Sequence, residues 1–457
     1  MTTSKQTGSL EGGLEAPIRS PVDWRNDDFH NTDLLNAELE RVFDICHGCR
    51  RCVSLCDSFP TLFDLVDESP TFELDGVDKD DYSKVADQCY LCDLCFETKC
   101  PYVPPHPFNI DFPHLMLRAK SKKFAEQGAP LRDRLMASTD GINRLLTIPI
   151  VDITVNALTS SKLLRKALEV TVGVHSEAPL PQYYSNTARK RLADKLLDSG
   201  EAGSQKVTVT EKTRGRVAIY TSCYCNSSDP SIIEDLVKVL EHNAIETRII
   251  AQEKCCGMPK LELGDLKAVD AIQAENIPHL AGIIEAGWDI ISPIPSCVLM
   301  YKQEIPLLFP ENTQAALVKQ HIFDPFEYLW ERHRQQLVNL EFPANAAQEL
   351  RIFYQVACHQ RVQNLGLKTR DVLQLIPNAQ IKTIERCSGH DGSYAVRTET
   401  REKSVKIARP VIRQIKNEQP SNLTSDCPLA LRQLAQLSDM EQIASHPISI
   451  LRVAYGI

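Results

Sequence analysis

The chain has 457 residues, a hydrophobic content of 43%, a charged content of 24% and a net charge of −9. Length and composition place it among globular proteins of several domains and exclude a disordered, collagen-like or small disulfide-stapled chain. The acidic balance argues against general nucleic-acid binding, which needs a basic footprint.

Sixteen cysteines are the unusual feature. The first twenty residues are polar and carry no apolar signal core, so a cytoplasmic chain is expected. Disulfides are rare there, and thiols in this number point to metal. Residues 1–30 read as a flexible tail. Asp33 to Ile45 reads as a helix, with Leu34, Leu35, Leu39, Val42 and Phe43 at near-helical spacing. It leads into a cysteine- and proline-rich region, residues 31–112, that reads as organised by metal rather than by a large core. Within it, Asp64 to Asp81 holds eight carboxylates against Lys79 alone and reads as a solvated loop.

Two motifs flank that insert. Cys46-His-Gly-Cys49-Arg-Arg-Cys52-Val-Ser-Leu-Cys56 has the spacing C-x2-C-x2-C-x3-C. Cys89-Tyr-Leu-Cys92-Asp-Leu-Cys95-Phe-Glu-Thr-Lys-Cys100-Pro101 has C-x2-C-x2-C-x4-C-P, one residue longer before its last cysteine. Thiolates two residues apart let a short loop wrap three irons of a cubane, and in two-cluster proteins the fourth ligand comes from the other motif. The expected ligand sets are therefore Cys46, Cys49, Cys52 and Cys100 for one [4Fe–4S] cluster, and Cys89, Cys92, Cys95 and Cys56 for a second. His47 reads as lying outside both sets. Zinc sites favour separated C-x2-C pairs, so a zinc-organised scaffold is the bland alternative.

Residues 113–213 read as a mostly helical connector. Its most apolar stretch, Leu145 to Val174, is interrupted by Asp152, Asn156, Lys162, Arg165 and Lys166. That excludes a transmembrane helix and leaves a packed helical segment or a peripheral membrane contact. Ser199 to Ser204 reads as a flexible boundary. Beyond it Arg216 to Thr221 and Thr247 to Ile250 read as strands, around a helix opened by Asp229-Pro230 with Ile232, Ile233, Leu236, Val237 and Leu240 on one face. The texture returns at Arg351 to Val356 and Ile381 to Ile384. Cys223 and Cys358, Cys255 and Cys387, and Cys297 and Cys427 are separated by 135, 132 and 130 residues. Three near-equal offsets indicate a duplication into two lobes, 214–345 and 346–457. Each lobe places its thiols after strands, where ligands bind in open α/β sheets. No dinucleotide fingerprint, phosphate loop or nucleophile elbow is present.

Cys223…Cys255-Cys256-Gly257-Met258-Pro259…Ser296-Cys297 resembles the cysteine-rich CCG domain of heterodisulfide reductase subunits, the glycolate oxidase iron–sulfur subunit and the anaerobic glycerol-3-phosphate dehydrogenase C subunit. Two ferredoxin-type motifs followed by two such lobes is most similar to the last of these. The resemblance implies a mixed α+β and α/β fold, with an N-terminal α-helical ferredoxin-like two-cluster domain followed by two duplicated CCG lobes. It implies an electron-transfer subunit that takes electrons from a flavin-dependent dehydrogenase and passes them to a quinone or another acceptor. A heterodisulfide or thiol reductase, and an electron donor to a soluble rubrerythrin-like protein, are the alternatives. Such a chain is expected in the cytoplasm or peripherally on the cytoplasmic face of the inner membrane. Lobe one keeps four thiols, Cys223, Cys255, Cys256 and Cys297, enough for a third cluster. Lobe two keeps Cys358, Cys387 and Cys427, its doublet having become Cys387-Ser388-Gly389. It needs His359, His390 or solvent as a further ligand, or holds no cluster.

Overall fold

Asn31 starts the first long helix, Thr32–Cys49, by accepting the Asp33 and Leu34 amides on its side chain at 3.0 and 3.1 Å. Leu35, Leu39, Val42 and Phe43 are buried along one face, while Leu34 is exposed. The helix runs four residues beyond its expected end, to Cys49, where Arg50 turns left-handed (φ 52°) and stops it. The computed structural model describes residues 12, 13, 15–343 and 350–457, and the chain packs as two units, residues 1–128 and 129–457.

The first unit differs from expectation in three ways. It has a proper apolar core: Phe43, Phe59, Phe63, Val66, Tyr82 and Phe112 are buried, with Phe59 stacked on Phe112 at 4.6 Å. The acidic insert folds as part of that core. Its start lies in helix Ser58–Asp67, and Val66, Leu74 and Val77 turn inward, so only the carboxylate face is solvated. Periodic apolar residues hidden among the acids carry this structure. The tail is also better ordered than its composition suggested; residues 1–11 and 14 lie outside the described residues. From Arg19 onward it is held by the ion pairs detailed below.

The second unit begins with helices Leu131–Met136, Thr139–Leu146, Val151–Ser160 and Lys162–Val172. Two parallel sheets follow. The first, in the order β1-β3-β2-β4-β5, contains β1 (Leu196–Leu197), β2 (Arg216–Ile219), β3 (Glu246–Ile250), β4 (Asp289–Ile291) and β5 (Ile322–Phe323). Val217 on the central strand is in register with Thr247 and Asp289. Helix Pro230–His242 buries Ile232, Ile233, Leu236, Val237 and Leu240, the expected face. The second sheet, β7-β6-β8, contains β6 (Leu350–Gln355), β7 (Ala379–Ile384) and β8 (Asn422–Thr424). Its order repeats β3-β2-β4, as a duplication requires. The boundary between the lobes at residues 345 and 346 lies outside the described residues.

The Ser199–Ser204 segment is pinned rather than free. The sheet has already begun at β1, the Ser204 and Gln205 amides donate to Glu246 at 2.8 and 3.2 Å, and Trp288 donates to the Glu201 carbonyl at 2.8 Å. Glycine and serine here serve close backbone approach: a Cβ on Gly203 would meet the Arg216 side chain at 2.3 Å.

Candidate metal centres

In the first unit Cys46 and Cys49 stand on the last turn of their helix, and Cys52 and Cys56 follow in irregular turns. Cys95 lies in the short helix Leu94–Thr98, entered through Asp93 at φ 60°. The extra residue of the second motif is absorbed in a wide turn, closed by the Cys100 amide donating to the Cys95 carbonyl at 2.8 Å.

The thiols fall into two neighbourhoods. Burial pushes the Cys46 thiol well up, and Cys100, Cys52 and Cys49 push it further. Burial likewise raises Cys95, with contributions from Cys89, Cys92, Cys52 and Cys56. A pocket is lined by Cys56, Cys89, Cys92 and Cys95 together with Phe59 and Phe112. Cys52 is pushed up to about 12 and Cys100 to about 11, burial being the main cause, with Arg51 opposing in both cases. His47 contacts Arg50 at 2.9 Å.

The chemistry of this donor set can be tested against a cubane. Thiols packed this closely resist joint ionisation, because each thiolate raises its neighbours. A cationic iron core removes that repulsion and takes the protons' place. Ligands spread around a pocket match a multi-iron cluster, where each thiolate meets its own iron.

In the second unit the cysteines follow the carboxyl ends of the strands. Cys223 follows β2, Cys255 and Cys256 follow β3, and Cys297 follows β4. β2 and β4 are neighbours whose connections leave to opposite sides, the crevice where open sheets bind ligands. The four thiols meet. The Cys255 thiol is lowered well below its ordinary value because the Cys223 and Cys256 thiols donate to it, aided by Thr139 and the Gly257 amide, against the cost of burial. Cys223 and Cys256 are pushed up in return by their bonds to Cys255, and Cys256 also by its bond to Cys297. Cys225, two residues from Cys223, packs into the apolar core instead.

Three residues that sequence reasoning missed close this site. Both Asp140 carboxylate oxygens accept the Cys255 amide, at 3.0 and 2.9 Å. Asn143 donates to the Cys223 carbonyl at 2.9 Å, and Thr139 faces Cys223 and Cys255. They sit on helix Thr139–Leu146, far away in sequence, and Thr139-Asp140 reads there as an ordinary helix start. From inside the lobe, Gln273 donates to the Cys256 carbonyl at 2.8 Å and Asn276 to that of Cys255 at 3.1 Å.

Lobe two repeats the plan with Cys358 after β6, Cys387 after β7 and Cys427 after β8, all half-buried. The Gly389 amide donates to Cys387 Sγ at 3.2 Å, as Gly257 does to Cys255 Sγ at 3.5 Å. Burial pushes Cys427 up to about 11. His359 is engaged by Ser296 at 2.7 Å. His390 is buried, and neither ring nitrogen has a hydrogen-bond partner among the described residues.

The 4Fe–4S dicluster domain model matches residues 45–103, and the cysteine-rich CCG domain model matches residues 217–302 and 352–435. The chain is 24% identical to the C subunit of anaerobic glycerol-3-phosphate dehydrogenase from Escherichia coli (strain K12), over 76% of this chain and 83% of that protein. It is 22% identical to lactate utilization protein A of Bacillus pumilus, over 40% of this chain and 75% of the relative. It is 22% identical to the B subunit of the CoM/CoB fumarate reductase from Methanothermobacter marburgensis, over 54% of this chain and 48% of the relative.

Proposed function

From a chain that carries a 4Fe–4S dicluster domain ahead of two cysteine-rich CCG domains, we infer an iron–sulfur electron-transfer subunit of an oxidoreductase complex. What supports this reading is the nearness of Cys100 to Cys46, Cys49 and Cys52, and the pocket lined by Cys56 together with Cys89, Cys92 and Cys95. On this reading Cys46, Cys49, Cys52 and Cys100 hold one [4Fe–4S] cluster, Cys89, Cys92, Cys95 and Cys56 a second, and Cys223, Cys255, Cys256 and Cys297 a third. Bound clusters supply one-electron carriage; the protein fixes their places and tunes their potentials through burial, hydrogen bonds to sulfur and nearby charge. Lys99 and Arg51 near Cys52 favour added negative charge there.

The electron donor is a flavin-dependent dehydrogenase subunit, and the acceptor beyond the CCG lobes is a quinone or a soluble redox protein. The similarity to part of a glycerol-3-phosphate dehydrogenase supports a dehydrogenase partner. Quinone is an apolar acceptor found in membranes, and a surface suited to reaching it exists. No helix among the described residues is long and apolar enough to cross a membrane. Yet helices Val151–Ser160 and Lys162–Val172 leave Ile153, Leu163 and Val170 exposed at 69%, 82% and 88%, next to Ile150 at 75%. Apolar side chains of this density beside Lys162 and Lys166 suit peripheral contact with an anionic membrane surface. A thiol reductase would need an accessible reactive thiol, whereas Cys255, Cys256 and Cys297 are buried.

Co-purification from an anoxic extract tests the assignment. A flavoprotein dehydrogenase whose substrate bleaches the visible absorption of this chain supports it. A folded chain that no flavoprotein reduces contradicts it.

A further inference from the structure

The connector helices of the second unit are built inside out. In helix Val151–Ser160, Asp152 is buried and accepts the Ser185 amide at 2.8 Å. One turn on, Asn156 exchanges two hydrogen bonds with the Tyr183 backbone, at 2.7 and 2.9 Å. In helix Lys162–Val172 the buried residue is Arg165, which donates to the carbonyls of His175, Ser176 and Ala178. The polar residues that interrupt the apolar run in the sequence thus face the protein, and Ile153, Leu158, Leu163 and Val170 are exposed. A helix that faces water has the reverse arrangement. The loop ahead of these helices, Ile148-Pro149-Ile150, is exposed and holds Ile150 at φ 78°. A β-branched residue is strained there, and strain of this kind clusters where a chain meets a ligand. Arg134, Arg144, Lys162 and Lys166 are exposed around this stretch, in a chain of net charge −9. Of its acids, Asp133 and Asp152 are buried, Asp140 is bound to the Cys255 amide, and Glu169 is half-buried. One helix joins the strained loop to the lobe-one thiols. Thr139, Asp140 and Asn143 close on Cys223 and Cys255, while Leu145, on the opposite side of the same helix, is exposed. From Asn143 to Leu146, the end of the helix, is about 5 Å along the axis.

We propose that the Ile148–Ile150 loop enters an anionic lipid bilayer, and that helix Thr139–Leu146 thereby sets the lobe-one thiol site beside the lipid as the point where electrons leave the chain for a dissolved quinone. The proposal rests on the electron-transfer reading above and adds the place of exit. The exposed aliphatic side chains supply the affinity for lipid, and the exposed lysines and arginines select an anionic surface. The inward hydrogen bonds of Asp152, Asn156 and Arg165 hold both helices to the protein without using their apolar residues, which stay free for the bilayer. A quinone reduced there takes up two electrons and two protons to become a quinol. The electrons leave the chain one at a time, and the protons come from water at the lipid surface.

The test uses the full chain purified without oxygen, reduced and freed of reductant. It is mixed with anionic phospholipid vesicles carrying a long-tailed quinone, or with a short water-soluble quinone. Sedimentation reads vesicle binding, and the return of visible absorption reads electron transfer. Melting curves and iron counts show that each variant is folded and loaded. In the Ile148→Glu, Ile150→Glu double variant, vesicle binding is expected to fall by about tenfold or more for each isoleucine. The ratio of its rates with the vesicle-borne and the soluble quinone should fall with it. Ile150→Gly suits the left-handed turn and carries the test if the double variant does not fold. Cys256→Ser is expected to bind vesicles as wild type does, to keep its N-terminal iron and to lose reduction of the vesicle-borne quinone. The proposal is overturned if the double variant binds vesicles and passes electrons to them like wild type, or if Cys256→Ser keeps the wild-type rate. It is equally overturned if wild-type chain reduces only the soluble quinone, which would assign the apolar face to a protein partner. Each of these results leaves the electron-transfer reading standing. Wild-type chain without any iron would bring down that reading itself.

Discussion

The Arg19 guanidinium closes on Asp93, between the cluster-loop cysteines Cys92 and Cys95, with two hydrogen bonds of 2.7 and 2.8 Å. The same group reaches Asp111 at 3.0 Å and lies 4.6 Å from the Phe96 ring centroid. Both Arg19 and Asp93 side chains are almost fully buried, at 6% and 4% exposure. A residue of the nominal tail therefore clamps a metal-binding loop from outside it.

Removing that clamp takes the guanidinium partner away from a buried carboxylate. Breaking a buried pair costs about 3–5 kcal/mol. Arg19→Ala is expected to lower the melting temperature of the chain and to speed iron release to a chelator several-fold. The fast phase should come from the cluster held by Cys56, Cys89, Cys92 and Cys95. Unchanged release kinetics would show that the loop holds its shape without Arg19.

Asp140 offers a parallel test in lobe one. Asp140→Ala leaves the Cys255 amide without its acceptor, at a cost of about 1–3 kcal/mol for a buried group. Cys256→Ser is expected to remove the third cluster and about four irons while sparing the N-terminal pair. Asp140→Ala should retain that iron but shift its midpoint potential, read by a spectroscopic redox titration. An unaltered potential would separate Asp140 from the cluster's surroundings.

Acid should weaken the second unit through His446. Its Nδ1 accepts the Ile448 amide at 3.3 Å as the cap of helix Pro447–Tyr455. Burial lowers the ring to about 4, against about 6.5 in an unfolded chain. Above the unfolded value the ring is neutral in both states and the full stability is present. As pH falls toward the folded value the unfolded chain takes up a proton that the native one refuses. Stability then drops, by up to about 3 kcal/mol. His446→Asn keeps a capping side chain and is expected to melt with a shallower dependence on pH between those limits. Parallel curves for the two proteins would count against the assignment.

The exposed apolar helices give a fourth expectation. Wild-type chain should sediment with anionic phospholipid vesicles, less so as salt rises. A Leu163→Glu, Val170→Glu double variant should stay in the supernatant with its melting temperature unchanged. Equal sedimentation of both proteins would place the membrane contact elsewhere.

Much of this was readable from spacing alone. Cysteine intervals pointed to the two N-terminal motifs, and the near-equal offsets to two repeated lobes, because ligand geometry and sheet topology both leave a periodic trace in the chain. The apolar face of helix Pro230–His242 was legible for the same reason. Contacts made at long range were not. Arg19, Asp140 and Asn143 reach sites 74 to 115 residues away, and nothing local distinguishes them from surface polar residues. The core of the first unit was underestimated because its aromatic residues are scattered between cysteines and acids, and only folding brings Phe59 onto Phe112.

The central claim concerns the crossed ligation of the N-terminal thiols, and iron and sulfide counts on anoxically purified Cys56→Ser and Cys100→Ser chains test it most directly. Cys100→Ser is expected to disturb only the spin-resonance signal of the cluster held by Cys46, Cys49 and Cys52, and Cys56→Ser only that of the cluster held by Cys89, Cys92 and Cys95. Each cysteine instead disturbing the cluster of its own motif, or a well-folded wild-type chain that binds zinc and no iron, would contradict the account.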